Sequence, residues 1–179
     1  MGETLEDIRA SELDLVEDRD RVPDLVLALE YWESKRRGRT APARADIDPL
    51  DIPDLLPRIM LADVFRDTAG GLDFRYRLSG TGIGRTHGSE LTGRGPLDLR
   101  PPAYGALIDS HYRQAVERRR PLAHRITLRT SRQTCAYARI ILPLATDGET
   151  IDKLLMVDSD SENSLHEFLE TIEALGKLS

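Results

Sequence analysis

The sequence has one cysteine, only 5% aromatic residues and no long apolar run. A single cysteine, Cys135, excludes an internal disulfide framework and any zinc site built from several cysteines. No stretch approaches the roughly 18 apolar residues that a membrane-spanning helix needs. The first residues are acidic and lack the basic-then-apolar order of a secretory signal. These absences predict a soluble cytoplasmic protein that buries its thiol and has no membrane partner.

The chain also lacks the motifs of common catalytic and metal sites. It contains no H-E-x-x-H ligand pair, no G-x-S-x-G elbow and no Walker loop, and its four histidines lie far apart. Aspartates 46, 48, 51 and 54 stand among prolines, where Asx turns and helix caps suit them at least as well as a metal ion. The sequence therefore predicts no catalytic residue and no metal ligand, and it identifies no cofactor.

The stretch SGTGIGRTHG, residues 79–88, carries four glycines after a predicted strand. A dinucleotide fingerprint would need a third glycine where this chain has Arg85 or His87. A Walker loop would need a lysine after Gly88, and Ser89 follows instead. The glycines therefore predict a turn or a pocket wall rather than a phosphate-binding loop.

The net charge of −6 is unevenly distributed along the chain. Residues 1–34 hold three arginines against eleven acidic residues, 35–145 hold twenty basic against eleven acidic, and 146–179 hold two lysines against nine acidic. A basic centre is typical of anion or nucleic-acid binding, but no groove-entering helix motif accompanies these arginines. We favour the alternative that the acidic ends lie against a basic body, and we predict no nucleic-acid partner.

The hydrophobic pattern alternates between helical and strand periodicity. It predicts helices over 24–37, 104–120 and 162–178, and strands over 59–67, 72–80, 122–131, 133–144 and 151–159. Prolines 49, 53 and 57 predict short turns between the first helix and the first strand. This order needs no parallel crossover, so the simplest packing is an α+β fold with a five-stranded antiparallel sheet and helices on one face.

Two long segments carry a family resemblance. LEYWESKRRGRTAPARADIDPLDIPDLLPRIMLADV and FRYRLSGTGIGRTHGSELTGR resemble a family of proteobacterial single-domain proteins with a PAS-like fold. The family's Tyr-Trp, Arg-x-Gly-Arg, Asp-x-Asp-Pro and Arg-Tyr-Arg-Leu-x-Gly-Thr motifs match residues 31–32, 36–39, 46–49 and 75–81. The resemblance implies sheet order 2-1-5-4-3, a helical belt and flanking helices. It divides the chain into an acidic segment 1–22, a PAS-like domain 23–160 and a C-terminal flanking helix 161–179.

The resemblance also implies a function. PAS domains sense small ligands, cofactors or partners and relay their state through flanking helices. We therefore expect a stand-alone, non-catalytic sensory module with a signalling protein partner, dimerised through its flanking helices. Cys135 lies on a predicted strand rather than in the belt motif of flavin photosensors, whereas His111 leaves haem binding open. Two alternatives are a small cone-fold enzyme of the isomerase or dehydratase type and an adaptor that binds a partner without a ligand.

Candidate ligand-binding residues come from the inward strand faces and the belt. The set that we predict is Tyr76, Leu78, Tyr104, His111, Ile126, Tyr137 and Arg139. Tyr137 and Arg139 share a strand face, where they could fix an anionic group. The alternative is that these side chains only fill the core.

Overall fold

The part of the fold that the structure describes contains two long helices and six strands. The computed structural model describes residues 5–83 and 91–164. The helices are α1, Pro23–Arg36, and α2, Pro102–Arg118. The strands are β1 Asp7–Glu12, β2 Ile59–Arg66, β3 Leu72–Ser79, β4 Leu122–Arg129, β5 Thr134–Leu144 and β6 Lys153–Asn163. The helix predicted over 162–178 lies outside the described residues from 165 onward, and β6 continues through Asn163.

All six strands form one antiparallel sheet in the order β1-β4-β5-β6-β2-β3. The predicted five-stranded sheet is therefore wrong, because β1 adds a sixth strand beside β4. The five predicted strands keep the neighbours of the order 2-1-5-4-3, read from the other end. The sequence DIRASE of β1 has no strong apolar alternation, and the strand forms by pairing along β4, with Ile8 opposite Leu128.

The acidic ends of the chain contact its basic middle. Glu12 of β1 accepts hydrogen bonds from Arg118 Nη1 at 3.1 Å and from Arg120 Nη2 at 3.0 Å. Glu162 of β6 lies 2.6 Å from Arg125 Nη2. These ion pairs neutralise part of the basic charge within the fold, which is the interpretation that the sequence favoured.

The helices pack on both faces of the sheet, so the prediction of helices on one face is wrong. Leu29 of α1 shares a groove with Ala123 and Ile140, whereas α2 meets the alternate strand residues, His124 and Arg139. Successive side chains of a strand point to opposite faces, so the two helices lie on opposite sides. The strand β5 is consequently buried at every position from Tyr137 to Leu144. Its long apolar run is the signature of a strand covered on both faces.

The proline-rich connection forms short 3₁₀ turns, as predicted. These turns span Arg44–Asp46, Pro49–Asp51 and Pro53–Arg58. Asp48 caps one of them by accepting a hydrogen bond from Leu50 N at 2.9 Å. Aspartates in this segment therefore act as turn caps, and the described residues contain no cluster of three or more potential metal ligands.

The start of α2 packs closely on the preceding turn because residue 105 is glycine. A Cβ at Gly105 would lie 2.6 Å from Pro96 O and 3.0 Å from Leu99 O. We predict that Gly105→Ala lowers the free energy of unfolding by about 1–3 kcal/mol through overpacking, although alanine favours a helix over glycine by about 1 kcal/mol. Urea titration measures this change.

The control for this substitution is Ser110→Ala, on the same helix at a partly exposed position. Its hydroxyl donates a local hydrogen bond to Leu107 O at 2.7 Å. The control is expected to change the free energy of unfolding by no more than about 0.5 kcal/mol. A Gly105→Ala protein as stable as the wild type would contradict the close packing.

Candidate functional site

The helix α2 presents a polar cluster to the sheet. Helical spacing brings its residues 104, 108, 111, 112 and 115 to one buried face. Opposite them lie inward-facing residues of β3, β4 and β5. We call the polar group at this interface the Arg139 cluster, and its members are Tyr76, Tyr104, His111, Tyr112, His124, Tyr137 and Arg139. Each member is at most 4% exposed.

The centre of the cluster is a buried arginine. Arg139 is 3% exposed, its Nη2 lies 2.9 Å from His111 Nδ1, and its guanidinium carbon lies 5.4 Å from the centre of the Tyr112 ring. No carboxylate of residues 5–83 or 91–164 comes within 4.0 Å of it, and its Nε has no hydrogen-bond partner there. Buried charges are normally paired, because removing an ion from water costs several kcal/mol. Within residues 5–83 and 91–164, this cation therefore has no carboxylate in ion-pair contact.

Two stacked histidines lie beside Arg139. The rings of His111 and His124 are parallel within 2°, with centroids 3.8 Å apart. Burial and the charge of Arg139 lower the pKa of His111 to about 2 and that of His124 to about 4. Both rings are therefore neutral at neutral pH. Because an arginine only donates, His111 Nδ1 is the acceptor, while His124 Nδ1 is buried without a partner among the described residues.

Four tyrosines complete the cluster as two hydrogen-bonded pairs. The hydroxyls of Tyr104 and Tyr137 lie 2.7 Å apart, and those of Tyr76 and Tyr112 lie 3.3 Å apart. Burial raises the pKa of each phenol, so all four are neutral. A bond between two phenols uses one of their two O–H hydrogens, so such a pair can also donate to a third group.

A carboxylate borders the cluster without pairing to its arginine. Asp158 of β6 is opposite Arg139 in the strand register and is partly buried. Burial raises the pKa of Asp158 to about 6, although the charges of Arg139 and Arg58 oppose the rise. The backbone carbonyl of Asp158 accepts a hydrogen bond from Arg58 Nη1 at 2.7 Å. The side-chain carboxyl of Asp158 therefore changes its protonation state near pH 6.

The pKa values of His111, His124 and Asp158 predict that the stability of the protein depends on pH. In the unfolded chain a histidine becomes protonated near pH 6.5, which is above the folded pKa of His111 and of His124. As the pH falls below 6.5, each of these histidines therefore lowers the free energy of unfolding by about 1.4 kcal/mol per pH unit. Asp158 acts in the opposite direction below about pH 6, because its folded pKa is the higher one. We expect a net loss of about 1.4 kcal/mol per pH unit between about pH 6 and 5.

Urea titrations across this pH range measure the slope. His124→Gln is expected to flatten it, because the remaining histidine and Asp158 then nearly cancel. Tyr76→Phe, which does not titrate in this range, should leave the slope unchanged. A wild-type protein that becomes more stable between pH 6 and 5 would contradict the neutral histidine pair.

Six of the seven predicted ligand-binding residues face the interior beside α2. These are Tyr76, Tyr104, His111, Ile126, Tyr137 and Arg139. Leu78 does not join them and is 51% exposed. The register of β2 and β3 shifts between Leu61 and Ala62, so that Arg77 is an extra residue and Leu78 turns to the other face.

Sequence reasoning did not select three residues that border the same interior. Tyr112 follows His111 directly, and its spacing of eight from Tyr104 was the signal for the same helical face. His124 has the same strand parity as Ile126 and Leu128, a pattern that indicates an inward-facing side chain but does not separate a core role from a site role. Asp158 carried no signal, because its position opposite Arg139 depends on the pairing of β5 with β6.

The described part of the glycine-rich stretch follows the end of β3 at Ser79, and residues 81–83 begin a helical segment. A Cβ at Gly80 would lie 2.4 Å from the carbonyl oxygens of Leu56 and Pro57, so the backbone approaches closely there. Residues 84–88 lie outside the described residues. Cys135 is buried, as predicted, and burial raises the pKa of its thiol to about 11. Among the described helices, none is both long and apolar enough to span a bilayer.

The chain is similar to one protein family and to a solved structure. A family model described as a PAS domain matches residues 21–157. A solved structure of an RNA-binding light-oxygen-voltage receptor matches with 16% identity and a TM-score of 0.42, over 76% of this chain. The match spans 40% of the receptor chain. The search of curated proteins finds no match.

Proposed function

Because the chain belongs to the PAS domain family, we propose that it is a sensory module that binds a small ligand between α2 and the sheet. The bound state would be reported to a signalling partner protein. The family resemblance in the sequence is confirmed, and a sensory or signalling role follows from it at the level of the family. The ligand and the partner are the proposed parts.

The Arg139 cluster is the observation that carries this proposal. A core that served packing alone would be more stable with apolar residues than with an unpaired guanidinium and an unpartnered imidazole nitrogen. Arg139 Nε and His124 Nδ1 are both buried and unpartnered among the described residues. Unsatisfied polar atoms that converge at one interface are typical of a site that a ligand completes.

The enzyme alternative receives less support. An isomerase or dehydratase of the cone-fold type would use a carboxylate or histidine as acid or base, with a pKa near the working pH. His111 instead accepts from Arg139, and burial together with that charge lowers its pKa to about 2. A group so weakly basic removes protons poorly at neutral pH, which favours recognition over turnover.

Thermal unfolding in a library of small metabolites, together with native mass spectrometry of the purified protein, tests the proposal. A ligand at about 100 times its Kd adds about 2.7 kcal/mol to the free energy of unfolding. Tyr137→Phe in the cluster should weaken a true hit, whereas Leu78→Ala on the exposed face should not. Hits that respond only to Leu78→Ala, or no hits at all, would refute the proposal. A hit that the protein converts would favour the enzyme.

The other partner predictions remain predictions. Dimerisation through flanking helices depends on residues 165–179, which lie outside the described residues. The ligand-free adaptor depends on the same segment. The absence of a nucleic-acid partner and the cytoplasmic location also stay predictions.

A further inference from the structure

We propose that the ligand carries a carboxylate, which pairs with the Nε edge of Arg139 inside the cluster. This inference rests on the proposed function and specifies the ligand class of the same site. The Nη2 of Arg139 is already engaged with His111 at 2.9 Å, whereas Nε of the same group is buried without a partner among the described residues.

The donors in the cluster match a carboxylate. An arginine side chain presents its N–H groups in a planar fork, and the group that best fits this fork is a carboxylate or a phosphate. The Tyr76 and Tyr112 hydroxyls lie 3.3 Å apart, and Tyr112 also lies under the guanidinium. One phenol of that pair can donate to a second oxygen beside Nε.

The charge balance of the cluster separates a carboxylate from a phosphate. Arg139 supplies one positive charge, and both neighbouring histidines are neutral at neutral pH because burial lowers their pKa values. A monoanion therefore neutralises Arg139 itself, while an ionised Asp158 beside it keeps its own negative charge. A phosphate dianion would leave an uncompensated negative charge near the carboxylate of Asp158, and Arg58, the next cation, is already bound to Asp24 at 2.6 Å.

The negative charge of Asp158 is expected to weaken the binding of an anion at Arg139. Asp158 is opposite Arg139 in the strand register, and no ion pair within 4.0 Å joins the two side chains in the described chain. A carboxylate bound at Arg139 would add a second negative charge beside that of Asp158, whose charge already interacts with Arg139. Removal of this negative charge in Asp158→Asn should therefore strengthen the binding of an anionic ligand and leave a neutral one unaffected.

The test is titration calorimetry of the whole protein with acetate, butyrate, benzoate and phenylacetate, each compared with its primary amide and with phenyl phosphate. At least one carboxylate should bind at least about tenfold more tightly than its amide, which is the loss expected when one charged hydrogen bond disappears. Arg139→Lys keeps the charge but loses the planar fork, and should weaken the carboxylate at least about tenfold. Asp158→Asn should strengthen it by a few fold.

The possible results separate the carboxylate class of the ligand from the proposed sensory function. The inference fails if no carboxylate in the series binds, if amides or phenyl phosphate bind equally well, or if Arg139→Lys binds as the wild type does. If neutral library compounds bind and Tyr137→Phe weakens them, the proposed function stands while the carboxylate class is wrong. The wild-type comparison of acid with amide needs no folded variant, so a variant that fails to fold does not obscure the outcome.

Discussion

The substitution Asp24→Ala is expected to lower the free energy of unfolding by about 3–5 kcal/mol, because it leaves a buried arginine without its partner. Asp24 lies in the first turn of α1, and its carboxylate accepts hydrogen bonds from Arg58 Nη1 at 2.6 Å, Ser159 Oγ at 2.8 Å and Asp160 N at 2.7 Å. These contacts join α1 to β6 and to the turn before β2. The result is measured by urea unfolding at neutral pH.

The pKa of Asp24 agrees with this role. Burial alone would raise it, but the hydrogen bonds from Asp160, Ser159 and Arg58 outweigh burial and hold it below its usual value. The side chains of Asp24 and Arg58 are only 14% and 16% exposed. Little solvent therefore screens the pair, and the remaining charge of Arg58 would be poorly hydrated in the variant.

The matched control is an exposed ion pair between α1 and the turn that precedes it. Arg19 and Glu30 lie 2.8 Å apart, but their side chains are 62% and 58% exposed. Glu30→Ala should cost no more than about 1 kcal/mol, as exposed pairs usually do. Asp24→Ala/Arg58→Met should recover part of the loss, because the stranded charge is removed with its partner. If Asp24→Ala costs no more than Glu30→Ala, the buried network does not stabilise the fold.

The second large effect is expected for Tyr112→Ala, which should lower the free energy of unfolding by about 3–5 kcal/mol. Tyr112 is fully buried at the centre of α2. Its ring meets those of Phe74 and Tyr76 edge to face, with centroids 5.5 Å and 6.3 Å away. Truncation leaves a cavity between the helix and the sheet and removes the ring that lies under the guanidinium of Arg139.

Two controls separate packing from polarity. Tyr112→Phe keeps the ring and loses the hydroxyl with its contacts to Tyr76 and Arg139, so it should cost about 1–2 kcal/mol. Leu97→Ala truncates a side chain that is 57% exposed and should change stability by no more than about 0.5 kcal/mol. A Tyr112→Ala protein with the stability of Leu97→Ala would mean that α2 does not depend on this contact. Thermal and urea unfolding give both comparisons.

The Asp24 network and the Arg139 cluster are neighbours across β6. Asp158 is opposite Arg139, and its carbonyl accepts from the Arg58 side chain that also binds Asp24. Ser159 and Asp160 continue directly from it to the carboxylate of Asp24. A change at Asp158 therefore has contiguous hydrogen bonds leading to α1, whose Leu25 and Trp32 belong to the hydrophobic core.

Much of the fold was predictable because local periodicity reports which side chains alternate or recur. The helix predicted over 24–37 is Pro23–Arg36, and the strand predicted over 72–80 is Leu72–Ser79. The same alternation predicted that Tyr137 and Arg139 share a face, and both point toward α2. The cap at Asp48 was also predictable, since an aspartate before a proline turn acts on its own backbone.

The sequence by itself therefore determined the element types, the family motifs and most of the inward-facing residues. Only the tertiary structure decided that β1 is a sixth strand, that Leu78 faces outward, and that Arg139 lies beside neutral histidines with no carboxylate partner in the described part of the chain. The physical reason is the range of the interactions involved. Periodicity depends on neighbours along the chain, whereas edge pairing, a register shift and the pairing of a buried charge depend on backbone and side-chain contacts between distant segments.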